Sequence, residues 1–271
     1  LETVIYKPNN KKYIKINYPA KDLDVIHTIR LYAVNVHPAI SHFFGYYIKR
    51  KELAVFVEDE GNGLLEDLIE NNEIVRLNLI DKLIISYGIA AAMEFLHSHK
   101  ISHNFLTPKI LLLDSNFYPY LINFGNKTGS MQDASKAILS NFFVEYSPPE
   151  VIENKVIGED ECFYVDVFSY AMILFKFFEG ESDMRKFAST KYRVHIKNGK
   201  RPQFSDSTLP AWKNLIEKCW DQDPYQRPSF TEICDHLESE DFVNTSVNIV
   251  AFDDYKKIIK PYRHSNNNQN K

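Results

Sequence analysis

ISHNFLTPKILLLDSNFYPYLINFGN, residues 101–126, decides how this chain is read. It begins as a loop, enters the apolar run 110–113, turns through the polar residues 114–116 and returns along 117–122. That pattern is a loop followed by two short strands. Its only carboxylate is Asp114, in the turn between the strands. Before it, LNLIDKLIISYGIAAAMEFLHSH has the apolar spacing of a long amphipathic helix. After it come a polar segment read as mobile, NKTGSMQDASKAILSN, and a strongly apolar helix, DVFSYAMILFKFFEG, expected to be buried on most sides. LPAWKNLIEKCW and FTEICDHLESE read as further helices, and the tail RHSNNNQNK reads as disordered.

Upstream the pattern is different. Residues 1–18 alternate around Asn9 and Asn10 as a hairpin with KYIKI in its second strand. KDLDVIHTIRLYAVNV, residues 21–36, has helical spacing ended by His37 and Pro38. FFGYYIKRKELAVFVED reads as two more strands joined at a charged turn. The expected organisation is therefore α+β: a small, mostly antiparallel β lobe with one helix over 1–60, a larger helical lobe over 61–245, and a C-terminal extension over 246–271.

Composition bounds the function. The chain has 271 residues, 44% of them hydrophobic, enough for a large core or two lobes. A net charge of -4 without a Lys/Arg block argues against a nucleic-acid groove. Cys162, Cys219 and Cys234 are too scattered for a zinc site or a disulfide framework, so a reducing, cytoplasmic setting is expected. No apolar run reaches the ~18 residues of a membrane span. The chain starts at Leu1 with no signal peptide, which is what a piece of a longer protein would show.

Several motifs, in order, resemble the protein kinase superfamily. YIKI (13–16) sits where kinases carry Val-Ala-Ile-Lys; HNFLTPKILL matches the catalytic loop; NFG (123–125) matches Asp-Phe-Gly; SPPE (147–150) matches Ala-Pro-Glu. DVFSYAMILFKFFEG resembles the buried helix that follows, while NGKRPQF and CWDQDPYQRPSF are similar to the tyrosine-kinase-like group. The resemblance covers about residues 2–240.

It implies a catalytic domain with its charged parts replaced, a pseudokinase. Phe105 stands at the position of the base and accepts no proton. Of the magnesium positions, Ile110 has no oxygen and Asn123 has only a neutral amide. No glycine precedes Gly45, so the phosphate-cradling loop is either lost or upstream. Lys15 matches the lysine clamp, but its glutamate partner falls on Thr28, with Asp22 and Asp24 the only nearby acids. Lys15 is then either a phosphate contact or a solvated strand lysine. Tyr13 replaces the alanine above the adenine, and is expected to fill that pocket in a column with Leu112 and Val4.

The resemblance gives structural roles to other residues. His103, Phe124, Tyr32 and Phe43 match the regulatory spine, Asp166 its anchor, and Glu150 with Arg227 an ion pair. Asn104 replaces the arginine that meets a phosphorylated activation segment, so no switch through Thr128 or Ser130 is expected. His97 and His99 read as helix-end histidines and not as a metal site with His103, and Trp220 as packing. The expected function is a scaffold or allosteric regulator in signalling, not an enzyme, with protein partners that include an active kinase. No cofactor is expected, and ATP only at low affinity. The alternative is a weak ATP binder with a nucleotide-dependent switch or residual transfer.

Overall fold

The computed structural model describes residues 2–6, 11–19, 29, 33, 36–49, 52–122, 144–153, 155, 158, 160–180, 191–243 and 249–263. The strands are β1 (Glu2–Tyr6), β2 (Lys11–Pro19), β3 (Phe43–Lys49), β4 (Glu52–Glu58), β5 (Gly61–Leu64), β6 (Leu111–Asp114) and β7 (Pro119–Leu121). The helices are α1 (Leu65–Glu70), α2 (Leu79–Ser98), α3 (Pro149–Ile152), α4 (Cys162–Glu179), α5 (Tyr192–Lys197), α6 (Pro210–Cys219), α7 (Phe230–Leu237), α8 (Glu240–Val243) and α9 (Val250–Ile259). The α+β class is borne out: an antiparallel sheet ordered β1-β2-β4-β3 precedes a mainly helical region holding the small sheet β5-β6-β7. The helix expected over 21–36 lies mostly outside the described residues, though Ile29 and Ala33 are helical.

Strand alternation sets which side chains reach the core. On β2, Ile14 and Ile16 pair with Val57 and Val55, and these four share one face. All four belong to a continuous core that also contains Leu112, Ile110 and the buried side of α4. The sheet is tied down at Ala39–Leu121: Leu121 N donates to Ala39 O, and Ser41 N to Leu121 O. Helix α2 starts at a capping box, where Asn78 Oδ1 accepts from Ile80 N and Asp81 N, and Asp81 Oδ2 accepts from Asn78 N. Within α2, a Cβ on Gly88 would lie 2.4 Å from both Pro119 Cγ and Tyr255 Oη, so only glycine lets β7 and α9 pack this close.

Helix α9 belongs to the extension that the sequence reading left without an element. Its signal is legible in hindsight: Phe252, Tyr255 and Ile259 recur at helical spacing and are all buried. Beyond it, Arg263 pairs with Glu94 of α2, Asp235 of α7 and Glu238 just after α7.

Candidate active site

The loop between α2 and β6 is built around one buried carboxylate. Asp166, on α4, is fully inaccessible and accepts from His103 N at 2.7 Å and Asn104 N at 2.6 Å. The ring of His97 reaches the same carboxylate, with Nε2 3.0 Å from Oδ2. Asn104 sits at φ 64°, a left-handed conformation that asparagine tolerates better than most residues. His103 is buried, and burial lowers its pKa, so it is neutral. Its Nδ1 accepts from Phe105 N at 3.3 Å, which leaves the ring proton on Nε2, facing Ile122 O at 3.5 Å.

Held this way, the loop turns Phe105 toward Val151, Cys162 and Val165, a small apolar cluster between α3 and α4. Ile110 is buried in the main core. The loop thus has a polar backbone anchor at Asp166 and apolar side-chain packing at Phe105 and Ile110. Asp114 lies in the β6–β7 turn, where its Oδ1 accepts from Asn116 N and Tyr118 N.

The segment 144–152 is pinned from three sides. Arg227 donates twice to Glu150, at 2.7 Å and 3.0 Å, and its side chain is inaccessible. Ser169 Oγ donates to Tyr146 O, and Tyr192 Oη to Glu145 O. Lys176, buried within α4, donates to Glu66 and to Tyr146 Oη. Burial raises the pKa of Glu66, opposed by Lys176. Trp220 packs against Phe175 and Phe204.

Tyr13 is only 2% exposed, with its ring 4.1 Å from that of Phe44. In the β1–β2 pairing Tyr13 lies opposite Val4, so these two share a face, while Ile14 and Ile16 belong to the core cluster that holds Leu112. The two-residue period of the strand puts Tyr13 and Lys15 on one face of β2 and Ile14 and Ile16 on the other. Lys15 is half-buried opposite Phe56. Asn123, Phe124, Thr28, Tyr32, Asp22, Asp24, Thr128 and Ser130 lie outside the described residues.

Kinase chemistry implies ATP and magnesium. Ile110 offers no donor, and among the described residues no group of three or more His, Cys, Asp or Glu could hold a metal ion. The described residues thus supply no set of hard oxygen ligands for two magnesium ions.

Between β4 and β5, Glu60 has a buried Oε1 with no hydrogen-bond partner. Burial, then Glu58, Asp114 and Asp59, push its pKa up to about 7. The folded chain therefore keeps a proton that the unfolded chain releases from about pH 4.5 upward, and stability falls as the pH rises toward 7. Glu60→Gln is expected to flatten the fall in melting temperature between about pH 5 and 8. An unchanged slope would place the dependence elsewhere.

Comparison with known proteins gives the class. Residues 11–237 match the family described as protein tyrosine and serine/threonine kinase, and the chain belongs to that family. It is 32% identical over 225 residues to the serine/threonine-protein kinase VIK of Arabidopsis thaliana, covering 79% of this chain and 50% of that protein. It is 29% identical over 204 residues to a probable LIM domain-containing serine/threonine-protein kinase of Dictyostelium discoideum, covering 74% of this chain and 30% of that protein. It is also 29% identical over 204 residues to the dual specificity protein kinase pyk3 of the same organism, covering 75% of this chain and 15% of that protein. The chain thus spans half or less of each of these relatives.

These matches correct the expectation that the chain is not an enzyme, because the relatives are named as kinases. The physical reason is one of degree. A positioned base contributes roughly 10²–10⁴-fold, so replacing it lowers a rate without abolishing transfer. No described helix is long and apolar enough to cross a membrane.

Proposed function

We propose that this chain is a signalling domain of the tyrosine-kinase-like group whose main output is binding. It docks a protein partner, an active kinase among the candidates, or biases it allosterically. Its phosphoryl transfer to serine or threonine runs slowly, without a carboxylate base, and it holds ATP at low affinity. The observation that carries this reading is the position of Phe105. The loop around it is fastened to Asp166, yet Phe105 packs on Val151, Cys162 and Val165. Such a frame preserves a surface and a fold more fully than it preserves chemistry. The buried, unbridged cysteines support a cytoplasmic setting.

The test is a turnover measurement with ATP, Mg²⁺ and serine/threonine peptides, read by mass. Kinases typically turn over at about 1–100 s⁻¹. Loss of the base's roughly 10²–10⁴-fold predicts a rate of roughly 10⁻⁴–1 s⁻¹. A rate at the upper end of the ordinary kinase range would overturn the proposal.

A further inference from the structure

Two buried polar atoms of the loop between α2 and β6, Thr107 Oγ1 and Asn104 Oδ1, have no hydrogen-bond partner among the described residues. Both residues line one small recess. Its other walls are Phe105 and Leu106 between them, segment 146–148, and Val165 and Ser169 of α4. Thr107 is only 2% exposed, so bulk water does not reach its hydroxyl freely.

The loop cannot satisfy these atoms by moving, because its backbone is already committed. Asn104 N donates to Asp166, Phe105 N to His103 Nδ1, and Ile110 N to Thr107 O. Nor does turning the Asn104 amide help. Its Nδ2 donates to Ser102 Oγ at 2.8 Å. Turned over, the amide would accept from that hydroxyl with its oxygen and leave the NH₂ unmet, so one end lacks a partner either way. Buried polar groups are as a rule bonded to protein or to ordered water.

We propose that this recess is a binding site for one water molecule, which bridges Asn104 and Thr107 across Phe105 and Leu106. Size and charge select the occupant. The recess has a volume of about 10 Å³. That is the lower limit of roughly 10–15 Å³ for a single water and too small for a larger solute. No charged side chain lines it, so nothing there calls for an ion. Water accepts from the Thr107 hydroxyl and donates to the Asn104 oxygen, the two roles the site asks for. The turn is then held on both sides. Asp166 fixes the backbone that enters it, and the water ties together the side chains that flank Phe105, whose ring packs on Val151, Cys162 and Val165.

The test pairs a crystal structure of the chain with the variant Thr107→Val, which keeps the side chain's shape and removes its hydroxyl. The wild-type structure is expected to show one isolated density peak about 2.7–3.2 Å from both Thr107 Oγ1 and the Asn104 amide. In Thr107→Val the peak should be gone and the melting temperature lower by about 2–4 °C, the loss of one hydrogen bond in a chain of this size. An unmet hydroxyl would give the opposite sign, because exchanging it for a methyl group removes a buried polar atom. An empty recess in the wild type, a peak retained in Thr107→Val, or a variant that melts at or above the wild-type temperature would overturn the proposal. The wild-type density decides the matter even where the variant folds poorly.

Discussion

Asp166→Ala is expected to lower folding stability by about 3–5 kcal/mol, among the largest single effects in the chain. Asp166, itself inaccessible, accepts two short backbone hydrogen bonds and faces the part-buried His97 ring. Removing it leaves the buried His103 amide and the part-buried Asn104 amide without this acceptor, at about 1–3 kcal/mol for each unsatisfied group. Asp166→Asn keeps one oxygen and turns an amide NH₂ toward the remaining donors, so an intermediate loss is expected. Urea unfolding reads both variants. A loss below about 1 kcal/mol for the alanine variant would mean that the loop does not hang on this residue.

Arg227→Ala and Glu150→Ala are expected to cost about 3–5 kcal/mol each, because each strands the other's charge in the interior. Arg227 also donates to Asp221 O and Tyr164 O, so its loss should be the larger of the two. The double variant Glu150→Met, Arg227→Met should cost less than the sum of the singles, since no unpaired charge remains. Strict additivity in a double-mutant cycle would mean that the two residues act independently.

These two constellations belong to the part of the structure legible in the sequence. Asp166, Glu150 and Arg227 stand in motifs whose order and residue types were readable, and long periodic segments such as α2 and α4 declared themselves. What was not legible depended on partners far along the chain. His97 reads as a helix-end histidine until α4 brings Asp166 to it, 69 residues away. Lys176 looks like an interruption of an apolar helix, and only the fold supplies Glu66, 110 residues distant. Phe105 could be read as a lost base, but not as a contact to Val151, Cys162 and Val165. The ring contact of Tyr13 with Phe44, 31 residues on, likewise depends on a neighbour that only the sheet brings to it.

Under the proposed function the catalytic frame is kept while its hold on ATP and magnesium is weak. Melting temperature measured against ATP, with and without Mg²⁺, tests it most directly. Binding to the folded state raises stability by RT ln(1 + [L]/Kd), so with Kd near ~1 mM, ~1 mM ATP adds only about 0.4 kcal/mol. For a chain of this length that is a shift of about 1 °C, and it should be no larger with Mg²⁺ present. A shift of several degrees that requires Mg²⁺ would contradict the account, showing a metal-assisted nucleotide site at full strength.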